Sequence, residues 1–228
     1  MNKIYSVKVL KVRYLTDSTF VIRVERKGFE FIPGQCVNLG LPKEAINREY
    51  STYSGKDGKY LEFLIKTVIG GYLSPKLQKL KAGDEVTIDG AYGSFTIASP
   101  EKTNNKYLFI GTGTGIAPFH SFALSYPELD YMVLHGVSYE NEQYDKKDYP
   151  EGKYLACVSR ERQKTQELKE SRTQNEYHGR VTGYLREHPV DPKTICYLCG
   201  NSDMINEVYD ILRSQGVNGT NIITEVFF

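Results

Sequence analysis

No apolar run in this sequence approaches the roughly 20 residues that a helix needs to cross a bilayer. Charge of one sign is also missing, because the formal net charge is only +1. Such a balance gives no general reason to expect binding to nucleic acid or to a membrane. Met1-Asn2-Lys3-Ile4-Tyr5-Ser6-Val7-Lys8 has too short an apolar core for a secretory signal, so the cytoplasm is the expected compartment. Cysteine and histidine are scarce, with four of each. Cys36 and Cys157 stand alone. Cys196 and Cys199 fall in Thr194-Ile195-Cys196-Tyr197-Leu198-Cys199, which reads as a buried strand. Residues three apart on a strand point to opposite faces, so these thiols do not converge on one metal. The plant-type iron–sulfur spacing is absent. His120, His135, His178 and His188 show no ligand spacing, and no metal site is expected.

What is present is an ordinary globular composition, 40% apolar and 25% charged, in 228 residues. That length suits two domains. Residues 1–99 are β-rich: Thr19–Glu25 puts Phe20, Ile22 and Val24 on one face, and residues 60–66 and 85–88 give further short strands. The spacing predicts an antiparallel barrel or sandwich. Ser74 followed by Pro75 predicts an N-cap and first helical residue, opening a helix over Lys76-Leu77-Gln78-Lys79-Leu80. Residues 106–228 change character. Apolar strands at 107–110, 131–134, 154–158 and 194–199 alternate with helical segments near 117–125, 181–187 and 203–214. That alternation predicts βαβ units around a parallel sheet. Residues 99–105 fit a linker, and the polar stretch from Arg162 to Tyr177 reads as a surface loop.

The segment Tyr107-Leu108-Phe109-Ile110-Gly111-Thr112-Gly113-Thr114-Gly115-Ile116-Ala117-Pro118 carries the strongest chemical signal. A strand runs into three glycines spaced two apart and then into a helix start. Glycine admits positive φ and close approach, and N–H groups at a helix start favour an anion such as a dinucleotide pyrophosphate. A tight turn without a ligand is the competing reading. The commoner templates fail, since Ile116 stands where a Rossmann fingerprint needs glycine and no P-loop lysine follows. The next strand leads into His135-Gly136-Val137-Ser138, with no acid placed to hold a ribose hydroxyl. In the first half, alternation from Arg48 sets Arg48 and Tyr50 on one face. A guanidinium beside an aromatic ring suits a phosphate attached to a flat heterocycle.

Seven motifs, in order, give the chain a resemblance to the ferredoxin–NADP reductase family over nearly its whole length. They are Pro33-Gly34-Gln35, Arg48-Glu49-Tyr50-Ser51-Thr52-Tyr53-Ser54, Gly71-Tyr72-Leu73-Ser74, Gly90-Ala91-Tyr92-Gly93-Ser94-Phe95, Gly111 to Pro118, Val158-Ser159-Arg160-Glu161, and Cys199-Gly200 with Met204. The resemblance implies a two-domain β + α/β fold: an N-terminal antiparallel flavin-binding β-barrel at 1–99, then a parallel-sheet α/β nucleotide-binding domain at 106–228. It implies FAD and NADP(H) as cofactors. Arg48 and Ser74 would hold the flavin pyrophosphate, with Gly71, Tyr72 and Leu73 completing that cradle. Tyr50 would lie against the isoalloxazine, Ser51 near its reactive nitrogen, and Ile65 and Lys66 would contact FAD through backbone and side chain.

Thr112, Gly113, Thr114, Val137 and Gly200 would meet the nicotinamide dinucleotide. Ser159, Arg160 and Arg180 would take a 2′-phosphate, which favours NADPH over NADH. Cys199 would sit where nicotinamide C4 approaches the flavin, and Glu225 would assist proton transfer; with Ser51 these are the catalytic candidates. Thr224-Glu225-Val226-Phe227-Phe228 resembles the terminal Glu-Val-Tyr of plant-type members, so Phe227 or the additional Phe228 would cover the flavin. Ala91 departs from the family's usual proline, and the loop from Arg162 to Tyr177 has no counterpart in it. The implied activity is hydride transfer between NADP(H) and FAD, with single electrons passed to or from ferredoxin or flavodoxin. Lys76, Lys79 and Lys81 are candidates for docking that acidic partner, and the chain is expected to be a monomer. A reductase component of an oxygenase, a general NAD(P)H–flavin reductase and a non-catalytic electron-transfer subunit are the alternatives.

Overall fold

The structure is a computed structural model that describes residues 4–160 and 175–227. The chain divides into two compact units: residues 1–98 with Ala117–Pro127, and Ser99–Ile116 with Glu128–Phe228. Among the described residues no helix is long and apolar enough to cross a membrane.

The first unit is a six-stranded antiparallel sheet. Its strands are β1 (Tyr5–Tyr14), β2 (Thr19–Glu25), β3 (Cys36–Gly40), β4 (Asn47–Ser51), β5 (Tyr60–Lys66) and β6 (Glu85–Tyr92), in the order β4-β3-β6-β1-β2-β5. Just beyond β4, Tyr53 N–H donates to the Glu62 carbonyl of β5 at 2.8 Å, which brings the two ends of the order together. The alternation in β2 sends Phe20, Ile22 and Val24 into one core with Leu61, Phe63 and Ile65 of β5 and Val86 and Ile88 of β6. Each such side chain contributes about 1.5–3 kcal/mol by leaving water.

Helix α1 (Ser74–Gln78) closes one end of this core with Leu73 and Leu77. The expected Ser74 N-cap is corrected here. Leu73 occupies the cap position, and the Ser74 hydroxyl accepts the Val68 N–H at 3.0 Å. Serine's short side chain reached the preceding turn instead, where it ties down the loop around Gly70 and Gly71.

Helix α2 (Ala117–Ser125) follows the glycine turn in sequence but packs with the barrel unit, whereas the sequence places it in the nucleotide domain. Its composition gives the reason, because Phe119, His120, Ser121 and Phe122 are all buried. Phe119 and Phe122 pack on Phe95, with ring centroids at 6.0 and 6.3 Å. His120 stacks on Tyr53 at 3.9 Å and bonds the Tyr53 carbonyl through Nδ1 at 2.8 Å. Ser121 Oγ donates to the Ser54 carbonyl, and Ser125 Oγ accepts Lys56 N–H.

The second unit is an all-parallel sheet of β7 (Lys106–Thr112), β8 (Asp130–Val137), β9 (Tyr154–Val158), β10 (Glu176–His178), β11 (Ile195–Gly200) and β12 (Ile222–Val226). The order is β10-β9-β8-β7-β11-β12. On one face α3 (Val181–Glu187) and α4 (Ser202–Ser214) cover Leu108, Ile110, Cys196 and Leu198. The other side carries rings, with Phe109 against Tyr131 at 5.5 Å and edge-on to Tyr197 at 5.9 Å. Cys196 and Cys199 do fall on opposite faces of β11, and both are fully buried. The loop expected from Arg162 to Tyr177 is corrected at its end, where Glu176 and Tyr177 pair with Ala156 and Cys157 as β10. The short polar-looking strand lacked an apolar run of its own because, among the described residues, only one edge of it is paired. Residues 161–174 lie outside the described residues.

Gly34 shows how tightly the first unit is built. Its φ is +92°, and a Cβ there would collide with the Phe95 carbonyl and meet the Phe122 ring at 2.8 Å. Gly28 has φ +73° and open space. We expect Gly28→Ala to cost about 1 kcal/mol and Gly34→Ala about 3 kcal/mol. Urea denaturation of both variants checks this, and equal losses would contradict the packing account.

Candidate active site

In the first unit the candidate residues gather on and just after β4. Cys36 and Val37 of β3 stand opposite Ser51 and Tyr50. The turn Pro33-Gly34-Gln35 locks the following segment, since the Gln35 carbonyl accepts both Thr52 N–H at 3.0 Å and Thr52 Oγ at 3.1 Å. Ser51, Thr52, Tyr53 and Ser54 are consequently buried, while Arg48 is exposed. Tyr50 is half-buried against the barrel core. Burial pushes its hydroxyl up to about 12, and the Arg48 guanidinium, close enough to act, opposes that shift. A flavin dinucleotide needs a ring face, a cation and polar groups at a strand edge; Tyr50, Arg48 and Ser51 supply them from one strand.

The remaining flavin candidates are placed unevenly. The Ile65 side chain lies in the core, so a ligand has no access to it. Lys66, paired with Thr19 at the strand end, is exposed. Gly71 N–H bonds the Val68 carbonyl, and Tyr72 is exposed beneath the Lys76 ammonium at 3.9 Å. Lys76 itself pairs with Glu44 at 2.9 Å, so of the proposed docking lysines Lys79 and Lys81 are the exposed ones.

In the second unit the strand order reverses between β7 and β11. Strands after β7 run to one side, and β11 and β12 lie on the other. Open parallel sheets take ligands at the carboxyl ends of such a reversal. That point is bounded by Thr112 and the 3-10 turn Gly113–Ile116 on one strand and by Cys199 and Gly200 on the other. The three glycines have different causes. A Cβ on Gly115 would strike the Cys199 carbonyl, and one on Gly111 would meet the Gly115 carbonyl at 3.0 Å. These two let β7, the turn and β11 pack together. Gly113 has φ +54° with nothing within 4 Å of a Cβ position, so it serves the open side of the turn.

Other candidates converge on the same edge of the sheet. Ser159 N–H and Oγ both donate to the Val137 carbonyl, at 2.9 and 3.1 Å, and Arg160 N–H donates to Ser138. Arg160 is exposed just past β9, and Arg180 is exposed at the start of α3. Glu225 pairs with Cys199 across β12 and β11, and Phe227 N–H donates to the Gly200 carbonyl at 2.8 Å. Burial, aided by the nearby Glu225 carboxylate, pushes the Cys199 thiol well up. Cys199 is therefore a neutral, compact wall and not a thiolate. Phe228 lies outside the described residues. Ser51 belongs to the other unit, so only Cys199 and Glu225 of the catalytic candidates are seen side by side.

Three features escaped the sequence reading. Glu142 accepts the Ser138 and Tyr139 N–H groups with one oxygen, at 2.8 and 3.1 Å, which explains an acid just past β8 in structural terms. Asn201 caps α4 by accepting Met204 N–H at 2.8 Å. His135 is fully buried, with Nε2 2.8 Å from the Gly113 carbonyl and Nδ1 2.8 Å from the Tyr154 hydroxyl. Burial lowers its pKa to about 4, the Gly113 bond acting the other way. Only the Asn201 cap had a local signal, an Asn directly before a helical segment.

Comparison with known proteins agrees with this geometry. Residues 12–97 match the oxidoreductase FAD-binding domain family, and residues 109–210 match the oxidoreductase NAD-binding domain family. These matches make the chain a flavoprotein oxidoreductase with FAD and a nicotinamide dinucleotide as cofactors. It is 29% identical over 240 residues to the toluate 1,2-dioxygenase electron transfer component of Pseudomonas putida, covering 98% of this chain and 67% of that protein. It is 28% identical over 248 residues to a flavodoxin/ferredoxin–NADP reductase of Buchnera aphidicola, covering 94% and 92% respectively. The fold is shared, at a TM-score of 0.84 and 22% identity over 100% of both chains, with a ferredoxin NADP+ reductase from Neisseria gonorrhoeae. The chain belongs to the ferredoxin–NADP reductase family.

His135 yields a pH prediction. Its folded pKa is depressed, so its contribution is complete above the unfolded value near 6.5 and is lost as pH falls through about 4. Between pH 7 and pH 5 the wild type should lose about 2 kcal/mol more stability than His135→Gln. Urea midpoints at the two pH values measure the difference, and parallel losses would contradict it.

Proposed function

We propose that the chain transfers a hydride between NADP(H) and FAD and exchanges single electrons with ferredoxin or flavodoxin, as a cytoplasmic monomer. The observation that carries this reading is the convergence of Thr112, Gly113, Ser159, Arg160 and Arg180 on the carboxyl edge of the parallel sheet beside its reversal point. Two guanidiniums and a hydroxyl suit a dianionic 2′-phosphate, because arginine binds phosphate through a fixed fork of donors. Glu142, one of two acids just past β8, is already engaged by backbone N–H groups.

When bound, FAD supplies the conversion between two-electron and one-electron chemistry. The side chains do the rest. Arg48 neutralises the flavin pyrophosphate, Tyr50 offers its ring face, and the Ser51 hydroxyl orients the reactive edge. Thr112, Gly113 and Thr114 seat the dinucleotide. Cys199, kept neutral, borders the nicotinamide without competing as a nucleophile, and Glu225 is the carboxyl group that assists proton transfer. Phe227 is the described residue that matches the family's terminal aromatic. Electron supply to an oxygenase is a second reading, favoured by the likeness to the toluate dioxygenase component. Turnover with reduced ferredoxin or flavodoxin, against an oxygenase component, separates the two.

Stopped-flow reduction of the flavin should be faster with NADPH than with NADH at equal subsaturating concentration. Arg160→Ala should weaken NADPH binding about tenfold and leave NADH unchanged. An unaltered NADPH preference would remove Arg160 from the 2′-phosphate site.

A further inference from the structure

The buried contact between His135 and Gly113 has a directional consequence. A carbonyl oxygen only accepts, so the proton of the neutral imidazole must sit on Nε2. Nδ1 then carries a lone pair, and the Tyr154 hydroxyl must donate to it. Tyr154 thereby supports the tautomer that the Gly113 carbonyl requires. In a trans peptide the C=O of one residue and the N–H of the next point in opposite directions. A Gly113 carbonyl drawn toward buried His135 turns the Thr114 N–H the other way, to the open side of the turn.

We propose that Tyr154 and His135 are positioning residues for nucleotide binding: they hold the Gly113 carbonyl inward so that the Thr114 N–H faces the phosphates of the nicotinamide dinucleotide. This rests on the reading above that residues 112–114 meet that ligand. The other tautomer sets a lone pair against the carbonyl oxygen and favours a flipped peptide, with a carbonyl facing the anion. Gly113, at φ +54° with open space where a Cβ would be, is the residue least able to resist such a flip by itself. The lock therefore sits where the backbone most needs one. His135 and Tyr154 belong to the second unit, so flavin binding in the first should not depend on them.

The test is calorimetric titration of the FAD-loaded protein with NADP+, with flavin content recorded for each variant. Tyr154→Phe keeps the ring and removes the donor; it should bind NADP+ about five- to tenfold more weakly at unchanged flavin content. His135→Leu should lose about tenfold or more. His135→Gln, whose amide nitrogen reaches the same carbonyl, should restore affinity to within about twofold of wild type. Should His135→Leu fail to fold, Tyr154→Phe and His135→Gln still decide the matter. Wild-type affinity in Tyr154→Phe, or a loss in His135→Gln as large as in Tyr154→Phe, overturns the proposal. A wild-type protein that binds neither NADP+ nor NAD+ overturns the assignment of the turn to a dinucleotide, and the proposal with it.

Discussion

Backbone crowding at the carboxyl end of β7 governs the second unit. Gly115 lies against the Cys199 carbonyl, Gly111 against the Gly115 carbonyl, and a Cβ on Gly200 would strike the Thr112 hydroxyl. Three backbone segments meet there because none carries a side chain at the contact. Side chains excluded from that point would otherwise separate β7 from β11 and break the parallel register from Ile195↔Tyr107 to Cys199↔Gly111. The crowding also explains why Gly113 alone among the three has space around it. The shape of the carboxyl edge of this sheet depends on this arrangement.

The first unit reaches the same end by polar bonding. The segment Ser51 to Ser54 is buried and rich in hydroxyls, and buried polar groups without partners are expensive. Gln35, Glu62, and His120 with Ser121 of α2 supply bonds to it from three parts of the chain. A segment held from several directions keeps its rotamers, which is what a site must do to present Tyr50 and Ser51 in a fixed pose.

Much of the fold was legible because periodicity survives in short elements. Phe20, Ile22 and Val24 alternate as a half-buried strand must, and the central parallel strands β7 and β11 are nearly continuous apolar runs because both faces are covered. The turn at 111–115 was legible as a ligand loop but not in its division of labour, since the partner of Gly115 is 84 positions away at Cys199. Ser74 was misread because a serine before proline has two local partners, and sequence does not say which wins. His135 could not be assigned at all. Nothing near it in sequence distinguishes a buried tautomer-locked imidazole from an ordinary core histidine, and its partners Gly113 and Tyr154 come from the turn after β7 and from β9.

Helix α2 has a consequence for how such chains can be recombined. By sequence it follows the glycine turn of the parallel-sheet unit, yet Phe119, His120 and Phe122 interlock with Phe95 and Tyr53 of the barrel. A junction in the stretch 99–105 would look neutral, because few elements lie there. A nucleotide half transplanted at that junction would import a foreign helix into the barrel's ring cluster and its buried hydroxyl network. The workable seam is double: residues 117–127 must be inherited with the barrel, and the foreign sequence must enter on both sides of them. Modularity in this chain follows packing, not the order in which residues are written.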